Sequence, residues 1–288
     1  VASLLDNGKV GEIFVAPSGR LIAYDWRGGI VDTDASLSCS AATQRLADRL
    51  AADAAGPETQ GFLETRLPDG TAVRVLSSPF AAEEPGIRFV KSFQTELSLR
   101  KLVESGVGNG DQVGRLQQAL DGQRSIIIVG RESQTNAIVV SSLTASIPAH
   151  RKVLVCGDRF SGSAAGEHFL LFNATALTSP NFADAISVMD CHWVAADNCG
   201  GEAACAVLKL GAVHQVPFIL SMRMNSPGNT FATLRAAAGE PDKISQYINT
   251  VGPVVVSTRR DADGVDRIEG LYLFSTHGDH GKLVPVTG

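Results

Sequence analysis

The stretch Ile126-Ile127-Ile128-Val129-Gly130-Arg131-Glu132-Ser133-Gln134-Thr135-Asn136-Ala137 decides how this sequence is read. Four branched apolar residues in a row, closed by a glycine, predict a strand buried on both faces. A helix-like run follows, clearest over Val139–Ala145. Strand, loop and helix in that order form the frame in which the pattern G-x-x-x-x-G-K-[ST] holds a polyphosphate. Its glycines let backbone N–H groups approach the phosphates, its lysine neutralises charge, and its hydroxyl binds Mg²⁺. Here Gly130 keeps the first glycine, but Thr135 stands at the second, Asn136 at the lysine and Ala137 at the hydroxyl. Arg131 and Ser133 fill the rest of the loop where glycines are usual. Taken alone, one glycine after a strand is an ordinary turn.

Working outward, the residues after Gln94 alternate between strand and helix signals. Helical spacing covers Leu97–Gly106 and Asp111–Leu120, then Phe182–Met189 and Gly201–Leu210. Apolar strand-like runs lie at Lys152–Cys156, His192–Ala196 and Val216–Met222, with Val251–Val256 another short buried run. Such alternation predicts a largely parallel sheet covered on both faces. Pro253–Arg259 and Arg267–Phe274 read as a closing hairpin about Asp263-Gly264. Before Gln94 the pattern is different. Val10–Ala16 and Arg20–Asp25 flank the turn Pro17-Ser18-Gly19, and Gly61–Leu67 and Thr71–Ser77 flank Pro68-Asp69-Gly70. Between these hairpins Ala41–Ala55 is helical, stopped by Gly56-Pro57, and Ile87–Phe93 is a last strand. The expected division is therefore a small α+β domain over 1–93 and an α/β domain over 94–288.

Around the central loop, the order of motifs resembles the type II/IV secretion ATPase family, the traffic ATPases of type IV secretion and of type IV or tight-adherence pili. Arg66-Leu67-Pro68-Asp69-Gly70-Thr71-Ala72-Val73 is similar to the family's R-L-P-D-G-S-R-V hairpin. Gly86–Phe93 resembles the strand that carries a basic residue toward the nucleotide, with Lys91 as the match, and Leu99–Val103 the helix after it. Asp197-Asn198-Cys199-Gly200-Gly201-Glu202-Ala203 is similar to the Walker B segment G-E-V-R-G-G-E-A, and Asn225-Ser226-Pro227 to the end of the histidine box. The resemblance implies a RecA-like P-loop NTPase domain with a mainly parallel sheet, preceded by a small PAS-like α+β domain. It also implies a hexameric ring, a cytoplasmic location compatible with peripheral placement at the inner membrane, and ATP with Mg²⁺ as ligands by analogy only.

The departures fall on the charged and glycine positions of the site. Besides the loop itself, Asp197 replaces the Walker B glutamate, Cys199 its neighbouring arginine, and Arg223 the box histidine. In the acidic box Asp158 remains, while Gly157 and Ser161 stand where glutamates belong. Replacing lysine by asparagine removes a charge-assisted contact worth roughly 1.5–3 kcal/mol. Side chains at glycine positions of unusual backbone angle cost roughly 1–2 kcal/mol each. A combined loss of about 5 kcal/mol weakens binding on the order of a thousandfold. Phosphoryl transfer rests on positioning and charge, so hydrolysis suffers more than binding.

Bulk properties narrow the field further. The hydrophobic share is 44% and the charged share 19%. That balance belongs to a folded globular chain. A net charge of −5 speaks against broad nucleic-acid binding. No apolar run nears the length of a membrane span, which takes roughly 20 residues. The five cysteines form no CxxC pair and read as reduced thiols. Asp261–Asp266 lacks the closing glutamate of a calcium loop and reads as a turn. His277, Asp279 and His280 read as a solvated Gly-rich tail, so no metal site is expected. Three functions follow from the resemblance and its losses. The first is a catalytically impaired subunit, ringed with itself or an active paralogue and partnered by inner-membrane platform proteins of a secretion or pilus machine. The second is a weak but genuine ATPase using Arg131, Lys91 or Arg223. The third is a ligand-binding regulator that reuses the cleft.

Overall fold

A computed structural model of the 288-residue chain describes residues 1–25, 29–31, 33–53, 61–81, 84–91, 97–157, 168–172, 177–179, 181–261, 265–277 and 280–286. The described residues up to 91 form one compact unit and those from 97 onward another.

The first unit is a six-stranded antiparallel sheet. Its strands are β1 (Val10–Val15), β2 (Leu21–Asp25), β3 (Ile30–Val31), β4 (Phe62–Arg66), β5 (Ala72–Leu76) and β6 (Gly86–Val90), ordered β3-β2-β1-β6-β5-β4. Alternate residues face a common core. Ile13, Val15, Val73, Val75, Ile87 and Phe89 pack there with Ala47 and Leu50 of helix α2 (Ser40–Asp53), while Phe14, Arg74 and Arg88 take the other parity. A short helix, α1 (Ala2–Leu5), precedes β1. The turn at Pro68-Asp69-Gly70 falls where the sequence places it. Gly70 takes φ 84°, in the left-handed region. Asp69 accepts the Thr71 N–H and hydroxyl, as turn aspartates do.

The second unit is built on an eight-stranded sheet. The strands are β7 (Ile126–Gly130), β8 (Val153–Cys156), β9 (Phe169–Phe172), β10 (Trp193–Ala196), β11 (Phe218–Arg223), β12 (Val254–Arg260), β13 (Asp266–His277) and β14 (His280–Pro285). In the order β14-β13-β12-β7-β11-β10-β8-β9, the six from β12 to β9 run parallel and the last two strands of the chain close the sheet antiparallel. This is the α/β domain with a mainly parallel sheet, after an α+β domain, that the sequence predicts. Helix α5 (Ser133–Ala145) lies on one face beside α3 (Leu99–Glu104), which in turn meets α4 (Gly110–Asp121). Helices α6 (Phe182–Met189), α7 (Gly201–His214), α8 (Thr230–Ala237) and α9 (Pro241–Val251) share the core of the other face, where Leu154, Val194, Leu220 and Val255 are buried against Val207, Leu234 and Ile248.

The structure corrects three expectations. The run Val251–Val256 is not one strand, because Val251 ends α9 and β12 starts only at Val254. Between them Gly252, at φ 54°, turns the chain out of the helix. A left-handed glycine just past the last turn is the usual way a helix stops. The Gly-rich tail is not a solvated coil. β14 pairs in register with β13, which supplies the backbone partners that a free tail would take from water. Helix α5 starts at Ser133, well before the helical run read at Val139, and the turns it adds lie across the expected loop. The turn at Asp263-Gly264 lies outside the described residues.

Candidate functional site

β7 stands at the point of the sheet where successive connections diverge. After β7 the chain crosses to β8 on one side, and after β11 it returns to β12 on the other. The carboxyl ends of strands at such a switch point form the crevice where open α/β sheets bind ligands. A cleft of about 410 Å³ lies there, lined by Gly130, Arg131 and Glu132 after β7, Met224–Pro227 after β11, and Ser257–Arg260 with Glu269 on the last hairpin.

The root of the cleft is closed by side chains of the protein itself. Only Arg131 and Glu132 separate the end of β7 from the start of α5, so Ser133, Gln134 and Thr135 lie in the helix's first turn. Asn136, at the lysine position, is 1% exposed. Its Nδ2 donates to Gly130 O and Met222 O, both at 3.2 Å, and its Oδ1 accepts the Thr258 hydroxyl at 2.5 Å. One amide thereby satisfies the ends of three adjacent strands, β7, β11 and β12. Gly130 makes this possible, since a Cβ there would collide with Thr258 Oγ1 and press on Asn136 Oδ1 at 2.7 Å. Thr135, at the second glycine, is fully buried and donates to Asp266 Oδ1 at 2.6 Å. Arg260 holds the same carboxylate through two hydrogen bonds, Nε at 2.9 Å and Nη2 at 3.3 Å. Ala137 is buried and carries no oxygen to offer a metal. Glu132 precedes α5 but its side chain makes no capping hydrogen bond, so the first-turn N–H groups gain nothing from it.

The other sequence-derived candidates are divided between the units. Asp197 follows β10 and is 7% exposed; its Oδ1 accepts the Ser221 hydroxyl at 2.6 Å. Ser221 Oγ in turn accepts the Asn198 N–H at 2.7 Å. Beside Asp197, burial pushes the Cys199 thiol far above its ordinary range. Arg223 ends β11 on the exposed rim, its Nε 3.0 Å from Arg131 O. Gly130 and Arg131 thus line the cleft, Arg223 adjoins it through Arg131 O, and Asn136 and Thr135 lie buried behind it. Lys91 belongs to the first unit, where it is 3% exposed and donates to Asn7 O at 3.0 Å. Burial lowers its ammonium pKa. Asp158 lies outside the described residues, and nothing of the Ser133 side chain is described.

Four residues that shape the site were not singled out in the sequence: Thr258, Asp266, Arg260 and Ser221. Their signal is weak. Each is a polar residue in or beside an apolar strand, and only the parallel pairing of β12 with β7 and of β11 with β10, with the antiparallel pairing of β13 to β12 for Asp266, sets them in place. As a holder of Mg·ATP the constellation does not fit. Among the described residues it has no loop to cradle phosphates, an amide in place of a cation at position 136 and no hydroxyl at 137.

Neither a protein-family model nor a curated protein sequence matches the chain. Solved structures do. The ATPase DotB of Legionella pneumophila superposes with TM-score 0.58 at 14% identity, over 95% of this chain and 77% of that one. The pilus retraction motor PilT with bound ADP gives TM-score 0.56 at 10% identity, over 100% and 82% of the two chains. DotB of Yersinia pseudotuberculosis gives 0.52 at 12%, over 90% and 74%. The chain therefore has the two-domain fold of the secretion and pilus traffic ATPases.

Proposed function

We propose that this chain is a traffic-ATPase homologue without motor chemistry, acting as a structural or regulatory subunit of a bacterial secretion or tight-adherence pilus machine. The observation that supports this most is Asn136. The position that should reach a phosphate instead turns inward and spends its hydrogen-bonding capacity on Gly130, Met222 and Thr258. An asparagine so engaged cannot contact a ligand without giving up hydrogen bonds to two strand-end carbonyls and a hydroxyl, each worth about 0.5–1.5 kcal/mol. The surfaces that a ring subunit needs are independent of that chemistry. Family analogy gives the partners: further copies or an active paralogue in a hexameric ring, and inner-membrane platform proteins. Fold alone does not fix function, so the site carries the reading.

Phosphate release from ATP tests it. The native chain should release phosphate at the background rate over all protein concentrations that allow ring assembly. Release above background that disappears in both Arg131→Ala and Asp197→Asn would instead make the chain a weak ATPase.

A further inference from the structure

Resting on that reading of a nucleotide-free cleft, we infer that its rim is a docking point for an acidic segment of a partner protein, held through carboxylates by Arg131 and Arg223. Arg131, Arg259 and Arg260 line the cleft, Arg223 adjoins it through its hydrogen bond to Arg131 O, and Arg259 and Arg260 are already engaged. Arg260 is tied to the buried Asp266, and Arg259 faces Glu269 at 3.7 Å. Glu269 also accepts the Ser257 hydroxyl, so its charge is turned to the hairpin. Arg131 and Arg223 are exposed on neighbouring strand ends. Arg223 uses Nε on Arg131 O, and among the described residues Arg131 makes no side-chain hydrogen bond. Of the two acidic residues that line the cleft, Glu269 is engaged by Arg259 and Ser257, so Glu132 alone stands against the two guanidinium groups, in a chain of net charge −5. Guanidinium forks suit planar, bidentate carboxylate recognition, for which a lysine is the poorer choice. Asn136 and Thr135 are buried behind the cleft and present no donor to a polyphosphate, whereas a side-chain carboxylate needs only the exposed guanidinium groups.

Fluorescence anisotropy with a labelled hexaglutamate peptide at low salt tests the assignment on the full chain, with labelled hexaserine as the blank. Binding should be saturable and should weaken at least about tenfold in Arg131→Glu/Arg223→Glu. The control Arg45→Glu/Arg49→Glu reverses two exposed charges on α2 and should leave it unchanged. Absence of hexaglutamate binding overturns the inference, as does equal weakening by both double variants. Tighter binding of inorganic pyrophosphate than of the peptide also overturns it, in favour of a phosphate ligand. Mg·ATP affinity is a separate titration, so failure here leaves the nucleotide-free reading standing and failure there is recognised as such.

Discussion

Asn136 is buried and bonded to three strand ends, so a substitution there has energetic consequences. Asn136→Ala removes one donor each from the Gly130 and Met222 carbonyls and leaves the Thr258 hydroxyl only its longer bond to Val129 O, at 3.4 Å. It should cost about 2–4 kcal/mol by urea denaturation, against about 1–2 kcal/mol for Thr258→Val. A loss within experimental error for Asn136→Ala would mean that the amide does not tie the strand ends together. The same geometry makes reversion fail. In Asn136→Lys/Ala137→Thr the new ammonium meets the carbonyls that now hold the amide, and α5 still begins at Ser133, so no gain in ATP affinity is expected by calorimetry. A further prediction concerns the thiols. Cys39 is exposed, and the Ala42 N–H lowers its pKa. Burial raises the pKa of Cys191 and Cys199 and takes Cys205 up to about 11. Because the thiolate is the nucleophile, Ellman's reagent in mildly alkaline buffer should find one fast thiol, abolished by Cys39→Ser, and these three only on unfolding. The sequence made the losses at 135–137 plain, since they are single-residue departures from a pattern. It could not show where Asn136 points, because its partners Met222 and Thr258 lie 86 and 122 residues away.

At the scale of elements, α5 is the decisive one. Glycines would have kept the loop from coiling. With Arg131, Ser133 and Thr135 here, α5 begins at Ser133 and leaves only Arg131 and Glu132 between strand and helix. The strands β7, β8, β10 and β11 were legible because each is a short, nearly unbroken apolar run. α9 was equally within reach, since Pro241 at its start, Ile244 and Ile248 four apart and Gly252 after its end are standard helix signals. β14 was not, because its residues become a strand only by pairing with β13. The packing of α7 on α8 depends on Gly201, where a Cβ would collide with the Cβ of Ala237. Gly201→Ala should therefore destabilise by about 1–3 kcal/mol, read as a lowered denaturation midpoint. An unchanged midpoint would show that the two helices can separate at no cost.

For the whole molecule, among the described residues the buried cluster of the first unit draws on residues 10–89, while the second unit buries residues from Leu99 on, those of its α6–α9 face starting at Ile127. Each unit should therefore carry its own stability, and residues 97–288 expressed alone should melt cooperatively by circular dichroism. A non-cooperative melt would show that the second unit depends on the first. The resemblance read from motif order reached the fold that DotB and PilT share even though identity with them is 14% and 10%, because the alternation of apolar strands and helices dictates the layered sheet.

Isothermal titration of the native chain with Mg·ATP tests the central claim most directly. A sealed cleft root predicts no heat of binding up to millimolar nucleotide. Saturable binding with micromolar Kd would contradict it, and would mean that the α5 turn opens to admit phosphates.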